Sequence, residues 1–324
     1  MACYYAFNGD ADGLCALQQL RLVNPGESTL ITGVKRDIKL LERVPAVDGD
    51  VVYALDVSLD INRDSLVRLL DAGAKVHYFD HHNAGDIPAH PSLISQIDLA
   101  ADVCTSLLVD RHLQGRHRLW AITAAFGDNL PEVARSLATA EGLSASDTET
   151  LERLGVCLNY NAYGETIDDL HFDPAHLAAE MLPFEDPREF TGRSLACARL
   201  FAGYQEDMAQ ARSLTPFRSC HGASILLLPA EAWARRAIGV LANELMLKSP
   251  SNAFALLSPN AGGDYTVSLR VPATTQTGAG DFCRMFDTGG GRRLAGGINR
   301  LPSRDIDSFA ERFEAQYGSL VQQP

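Results

Sequence analysis

Asp10, Asp12, Asp56, His81 and Asp128 are the residues of this chain whose types and positions could do chemistry together. Asp10 and Asp12 follow the apolar run 4–7, Asp56 follows the run 51–55, and His81 follows the run 76–79 within Asp80-His81-His82. Laid side by side as parallel strands, such runs gather the groups at their carboxyl ends along one edge, where open α/β sheets bind ligands. Carboxylates and an imidazole gathered there make a mixed oxygen and nitrogen donor set suited to manganese, with magnesium or cobalt as substitutes. Asp10 and Asp12 can each take a different ion, Asp56 is placed to bridge both, and the fifth ligand, a further acid, comes from Asp128, with Asp98 and Asp102 as other candidates. Taken singly, a strand-end aspartate more often caps a helix or a turn. Together the five point to two cations built for phosphate chemistry.

The elements that must position these groups follow from periodicity. Strands are expected near 3–8, 28–34, 51–56, 75–79 and 93–98, separated by helices near 14–23, 36–44, 60–72 and 103–113. This alternation predicts an α/β fold whose N-terminal domain has a mainly parallel sheet with helices on both faces. Residues 115–182 read as mostly helical, and 193–213 as one connecting helix. Beyond Pro216 a smaller C-terminal α/β domain is expected, with strands near 223–228, 253–257 and 264–271 and helices near 231–247, 279–286 and 304–317. The expected organisation is a metal-binding domain over 1–190, a connector over 191–215 and a substrate-binding domain over 216–324, with substrate in the cleft between the domains.

Composition narrows the partners. The 324 residues are 46% hydrophobic, enough for two cores, and no apolar stretch approaches a bilayer span. No basic flank of a signal peptide precedes them, so a cytoplasmic protein without membrane contact is expected. The seven cysteines are odd in number and contain no Cys-x-x-Cys pair, so reduced, packed thiols are expected. Of the net charge of −13, residues 1–190 carry 14 Lys+Arg against 30 Asp+Glu, and 191–324 carry 14 against 11. An acidic body disfavours long duplex nucleic acid, whose affinity rests on many phosphate contacts. A small phosphorylated partner, such as a nucleotide or short oligonucleotide, is easier to hold. Composition leaves the choice between monomer and homodimer open.

With these motifs in order, the chain resembles the DHH phosphoesterase superfamily, named after an Asp-His-His run such as Asp80-His81-His82. Asp10 to Gly13 matches its first motif, Asp56 its strand-end acid and Asp128 its later helix-end acid. The run Gly289-Gly290-Gly291-Arg292-Arg293-Leu294-Ala295-Gly296-Gly297 is similar to the glycine-rich signature of the DHH-associated C-terminal domain, and Ser268-Leu269-Arg270 to the strand facing it. Two departures stand out. Asn8 and Ala6 occupy positions where the family usually has a histidine, and Arg292 stands where its signature usually has another.

The resemblance implies hydrolysis of a phosphoester or phosphoanhydride by a two-metal-activated water. On that reading Asn8 and Asp10 hold one cation, Asp12, His81 and Asp128 the other, and Asp56 bridges. Asp80 is expected to orient a metal-bound imidazole. His82 is expected to contact the phosphate or protonate the leaving oxygen. Phosphate recognition is expected from Arg270, Arg292 and Arg293 through charged forks, from backbone amides at Gly289, Gly290 and Gly291, and from Lys35 and Arg36. The polar and aromatic run 158–164 is read either as a base-stacking loop or as a packed one. The substrates expected are short oligonucleotides or nucleoside bisphosphates. Polyphosphate, pyrophosphate or cyclic-nucleotide hydrolysis are alternatives, and a catalytically weak nucleotide sensor is an alternative of another class.

Overall fold

The computed structural model describes residues 1–318. The chain divides into two compact units, Met1–Gly203 and from Tyr204 onward. The first opens with β1 (Cys3–Phe7), α1 (Ala11–Val23), β2 (Thr29–Ile31), β3 (Val51–Leu55), α2 (Leu59–Asp71), β4 (Lys75–Asp80) and β5 (Leu93–Ile97). The strands form one sheet in the order β2-β1-β3-β4-β5, with every neighbouring pair parallel. Side chains alternate across it. Ala6, Val52, Ala54, Val76 and Tyr78 face a core shared with Leu59, Leu66, Leu69 and Leu70 of α2. The opposite face carries α1 and α3 (Thr105–His112). The expected parallel sheet with helices on both faces is therefore present.

Strand order decides where a site can form. The chain leaves β1 toward β2 on one side and later fills β3, β4 and β5 on the other, so the crevice beyond the carboxyl ends of β1 and β3 is a topological switch point. Helices then dominate: α4 (Arg118–Gly127), α5 (Pro131–Ala140), α6 (Ala145–Asn161), α7 (Pro174–Met181), α8 (Pro187–Arg193) and α9 (Leu195–Arg212), inside which the two units divide. Two glycines let α1, α4 and α6 approach closely. A Cβ on Gly155 would lie 2.1 Å from the Thr123 carbonyl oxygen, and one on Gly127 would lie 2.4 Å from Ala11 Cβ. This contact sets the end of α4, and with it Asp128, beside the start of α1.

Among the described residues the second unit has six strands: β6 (Arg218–Cys220), β7 (Ala223–Leu227), β8 (Ala253–Pro259), β9 (Tyr265–Arg270), β10 (Gly289–Gly291) and β11 (Ala295–Leu301). Their order is β10-β11-β9-β8-β7-β6, and β7 with β8 is the parallel pair, joined through α10 (Ala232–Lys248). Helices α11 (Ala279–Cys283) and α12 (Ile306–Tyr317) complete it. Phe282, Phe309, Phe313 and Tyr317 pack a buried aromatic cluster against Ile225, Leu257, Val267 and Leu269.

Some expected elements differ. Residues 36–44 are not an α-helix but a loop with one 3₁₀ turn, Leu40–Arg43. Pro45 favours an extended Val44, which has ψ 116°, and the remaining run is too short to sustain a helix. Asn62 and Arg68 of α2 hold this segment instead, through Leu41 N, Ile38 O, Leu41 O and Val44 O. The strands β6, β10 and β11 were not expected. Among the described residues no helix is long and apolar enough to cross a membrane, and all seven cysteines are free thiols.

Candidate metal centre

Each acidic residue is delivered by a strand end or a helix end. Asp10 is the N-cap of α1, its Oδ1 accepting the amides of Asp12 at 3.0 Å and Gly13 at 3.2 Å. Asp12, within the first turn of α1, accepts the amides of Thr105 and Ser106, each at 2.7 Å, at its two carboxylate oxygens. Those amides are the unsatisfied donors of the first turn of α3, whose dipole favours an anion there. Asp56 leaves β3 with φ 59°, a left-handed conformation that aspartate tolerates better than most side chains. Its Oδ1 accepts the Thr105 hydroxyl at 3.2 Å.

His81 is the point on which the carboxylates converge. Its Nδ1 lies 2.8 Å from the carbonyl oxygen of Val103. A carbonyl can only accept, so Nδ1 carries the proton and Nε2 is turned toward the acids. Nε2 lies 3.4 Å from Asp56 Oδ1, 3.7 Å from Asp128 Oδ2 and 3.9 Å from Asp12 Oδ2. Ligand atoms about 2.1 Å from a shared ion stand about 3.0 Å apart at adjacent octahedral corners and about 3.4 Å apart at tetrahedral ones. The spacing to Asp56 equals the tetrahedral figure, and those to Asp128 and Asp12 are wider, within reach of small side-chain movements. Asp128 Oδ2 is buried with no hydrogen-bond partner, the state of an oxygen waiting for a cation. Two sets of donors, Asp12, His81 and Asp128, and Asp56, His81 and His82, each lie close enough together to hold a divalent ion, and they share His81, whose Nδ1 is taken by Val103. Asp98 instead pairs with Arg111 and Asp102 is exposed.

The electrostatics agree. Burial and the charges of Asp10 and Asp12 push the Asp56 carboxyl well above the usual carboxylate range. Burial, then Asp12, raises Asp128 as well. Burial alone would lower His81, but its hydrogen bond to Asp56 and the charges of Asp56, Asp12 and Asp128 push it up to about 10. A cluster that binds protons this avidly has too much negative charge for its surroundings.

The remaining expected residues are placed as follows. Asp80 was expected to orient His81, but the Val103 carbonyl does so, and Asp80 Oδ1 instead accepts His82 Nδ1–H at 2.7 Å. The His82 side chain is 41% exposed, and its ring stands edge-on to His81 with centroids 4.5 Å apart. Asn8 is engaged at both ends of its amide, Oδ1 accepting Asp10 N–H at 3.3 Å and Nδ2 donating to Lys35 O at 3.3 Å. Lys35 Nζ donates to Asp10 Oδ2 and, at 3.0 Å, to Asn159 Oδ1. Burial opposes charge on Asp10, but the ammonium and the Gly13 amide hold its carboxyl below the usual range. Arg36 is exposed beside Tyr163 and Glu165.

In the second unit the glycine run folds as the β10–β11 hairpin laid on α11. A Cβ on Gly289 would meet the Cys283 carbonyl oxygen at 1.7 Å and one on Gly296 the Ala279 carbonyl oxygen at 2.7 Å, whereas one on Gly290 would meet nothing. Arg292 and Arg293 are exposed on the connecting turn, Arg293 donating to Thr275 O at 3.0 Å. Arg270 closes β9 with its Nε on Asn243 Oδ1 at 2.8 Å.

Five positioning groups escaped sequence reasoning: the Val103 carbonyl, the Thr105 and Ser106 amides, the Thr105 hydroxyl, and Asn159. The first three are backbone groups and carry no side-chain signal. Asn159 lies in the polar and aromatic run 158–164, whose Tyr160 is buried, so that run is largely packed.

No family model matches the chain, and no curated protein sequence matches it. Solved structures do. Exonuclease RecJ bound to manganese is 18% identical with a TM-score of 0.63, covering 100% of this chain and 91% of its own. RecJ in complex with Mn2+ from Thermus thermophilus is 19% identical with a TM-score of 0.65, and this chain spans 52% of its length and is covered in full. The pGpG-specific phosphodiesterase PggH from Vibrio cholerae is 14% identical with a TM-score of 0.57, covering 98% of this chain and 100% of its own. At these identities the likeness is one of fold.

Proposed function

We propose that this protein is a divalent-metal-dependent phosphoesterase acting on small nucleotides, short oligonucleotides or nucleoside bisphosphates. The observation that carries the reading is the convergence of Asp12, Asp56 and Asp128 on His81 Nε2, whose other ring nitrogen is fixed by Val103. A divalent ion held there supplies Lewis acidity that lowers the pKa of a coordinated water and neutralises phosphate oxygens. The manganese in both RecJ structures supports manganese as that ion, with magnesium or cobalt as substitutes.

The chain's own groups supply the rest. The α3 amides orient Asp12, and Thr105 fixes Asp56. His82, steadied by Asp80, delivers a proton to the leaving oxygen, its exposure leaving it reachable by a substrate. Arg36, Arg270, Arg292 and Arg293, with the backbone at Gly289, Gly290 and Gly291, are assigned to phosphate recognition. The name of PggH supports a short nucleotide over a long strand, as does the acidic character of the first 190 residues.

The test is turnover by the purified protein with manganese on bis(p-nitrophenyl) phosphate, dinucleotides, nucleoside bisphosphates, cyclic nucleotides and polyphosphate. Hydrolysis of a dinucleotide or bisphosphate that a chelator abolishes is expected. Tight nucleotide binding with no turnover on any substrate would replace the enzyme reading with a sensor.

A further inference from the structure

We infer that the Lys35 ammonium takes the place of a second cation, so that this chain holds one divalent ion, at Asp12, Asp56, His81 and Asp128, instead of two. The inference rests on the metal-dependent reading above and concerns the ion count at that site.

Asp10 is the acid that a second ion would need, and its oxygens are committed. Oδ1 accepts two backbone amides at the start of α1, and Oδ2 accepts Lys35 Nζ. An ammonium bonded to Oδ2 and a divalent ion on the same carboxylate repel each other, so the ammonium disfavours an ion there. Asn8 offers no replacement, because its amide is spent on tying Asp10 N to the Lys35 backbone.

Lys35 is itself built in. Its backbone N–H donates to Ala162 O at 2.9 Å, its Nζ to Asn159 Oδ1 at 3.0 Å, and the ammonium lies 5.6 Å from the centroid of the Tyr163 ring. The end of α6 therefore holds the lysine from one side and Asp10 from the other, and its side chain is only 28% exposed. Ordering a long, flexible side chain costs conformational entropy, which a casual surface ion pair does not recover. The three contacts explain why it is ordered here.

The exchange alters what the site offers. An ammonium neutralises Asp10 but provides no open coordination position. Of its three N–H donors two are used, leaving one for a phosphate oxygen. Lys35 thus combines one positive charge, half that of a divalent ion, with the substrate contact expected of it, while water activation falls to the residues around His81.

The experiment counts ions, independently of turnover. Wild-type protein, dialysed to equilibrium against excess Mn2+ and analysed for metal and protein, is expected to hold one ion per chain, with no exchange-coupled pair in its electron paramagnetic resonance spectrum. Lys35→Met, which removes the ammonium but keeps the stem, is expected to hold two with a coupled pair. Lys35→Arg, which keeps the charge, is expected to stay at one. Asp10→Asn is also expected to stay at one, since Asp10 ligates no ion; this variant decides the matter should Lys35→Met fail to fold. Two ions in the wild type, one ion in folded Lys35→Met, or none in folded Asp10→Asn would each overturn the inference. No ion in the wild type together with no hydrolysis would instead remove the metal-dependent reading on which it rests.

Discussion

His82 donates its Nδ1–H to Asp80 Oδ1 at 2.7 Å, while the other oxygen of Asp80 is buried with no hydrogen-bond partner. A fully buried carboxylate thus faces a partly exposed imidazole that a substrate can reach. The pairing fixes the ring orientation and leaves Nε2 as the nitrogen that can exchange a proton with a substrate, as an acid catalyst requires.

If Asp80 acts through His82, three outcomes follow. His82→Ala should lower kcat by roughly 10²–10⁴-fold and Asp80→Ala by about 10–100-fold, with manganese content unchanged in both. The double variant should be no slower than His82→Ala, because the two residues act as one unit. Loss of manganese from Asp80→Ala would place Asp80 with the ligands and remove this role.

The ligand set makes a separate prediction. Asp56→Ala and Asp128→Ala should each abolish turnover and weaken manganese binding, measured calorimetrically, by at least about 100-fold. Thr105→Val, which removes only the hydroxyl bonded to Asp56, should weaken it by about 10-fold. Full activity in Asp56→Ala would refute the centre as drawn.

Binding an ion should also release protons. In the ion-free protein burial disfavours the charged His81, but Asp56, Asp12 and Asp128 hold its pKa at about 10. At neutral pH the ring therefore carries two protons, and Nε2 must lose one to ligate. The sign is fixed: the ion-free state binds the extra proton and the bound state does not, so manganese affinity rises with pH up to about 10, by about tenfold per unit for each proton released. Calorimetry in buffers of different ionisation enthalpy should show this release. An affinity independent of pH between about 6 and 8 would contradict it.

The convergence of the acids on His81 was legible in the sequence where a side chain stands at a strand end. Asp12, Asp56, His81 and Asp128 stand after runs whose apolar character marks buried parallel strands or a helix, so strand order brings the first three to one edge and the close packing of α4 on α1 at Gly127 sets Asp128 beside them. Lys35 was visible only as a basic residue after β2. Its approach to Asp10 depends on the pairing of β2 with β1 and on α6 returning more than 120 residues later, which no local pattern encodes. The partner of His81 is a backbone carbonyl, and a sequence offers a carbonyl at every position. The strands β10 and β11 were missed for a different reason: glycine has poor strand propensity, and Gly289, Gly291 and Gly296 serve close packing on α11 and across the hairpin.

The closeness of α4 and α6 can be tested without touching the centre. In Gly155→Ala the added methyl would meet the Thr123 carbonyl oxygen at 2.1 Å, a backbone atom that cannot turn aside. Overpacking of this kind should destabilise the protein by roughly 1–3 kcal/mol in urea unfolding. Because α4 carries Asp128 at its end, manganese affinity should fall as well, and unchanged stability and affinity would show that the helices have slack.

Arg292 separates a substrate role in the second unit from a structural one. It lies on the exposed turn between β10 and β11, where Arg292 N–H closes the hairpin on Ala295 O at 2.8 Å through the backbone alone. Removing its side chain should therefore leave stability within about 0.5 kcal/mol of wild type. If the guanidinium grips a phosphate oxygen in ground state and transition state alike, Arg292→Ala should raise KM by about tenfold and leave kcat unchanged. Lysine there should recover only part of the loss, since a point charge does not reproduce a two-pronged contact. An unchanged KM for every substrate hydrolysed would free Arg292 from recognition.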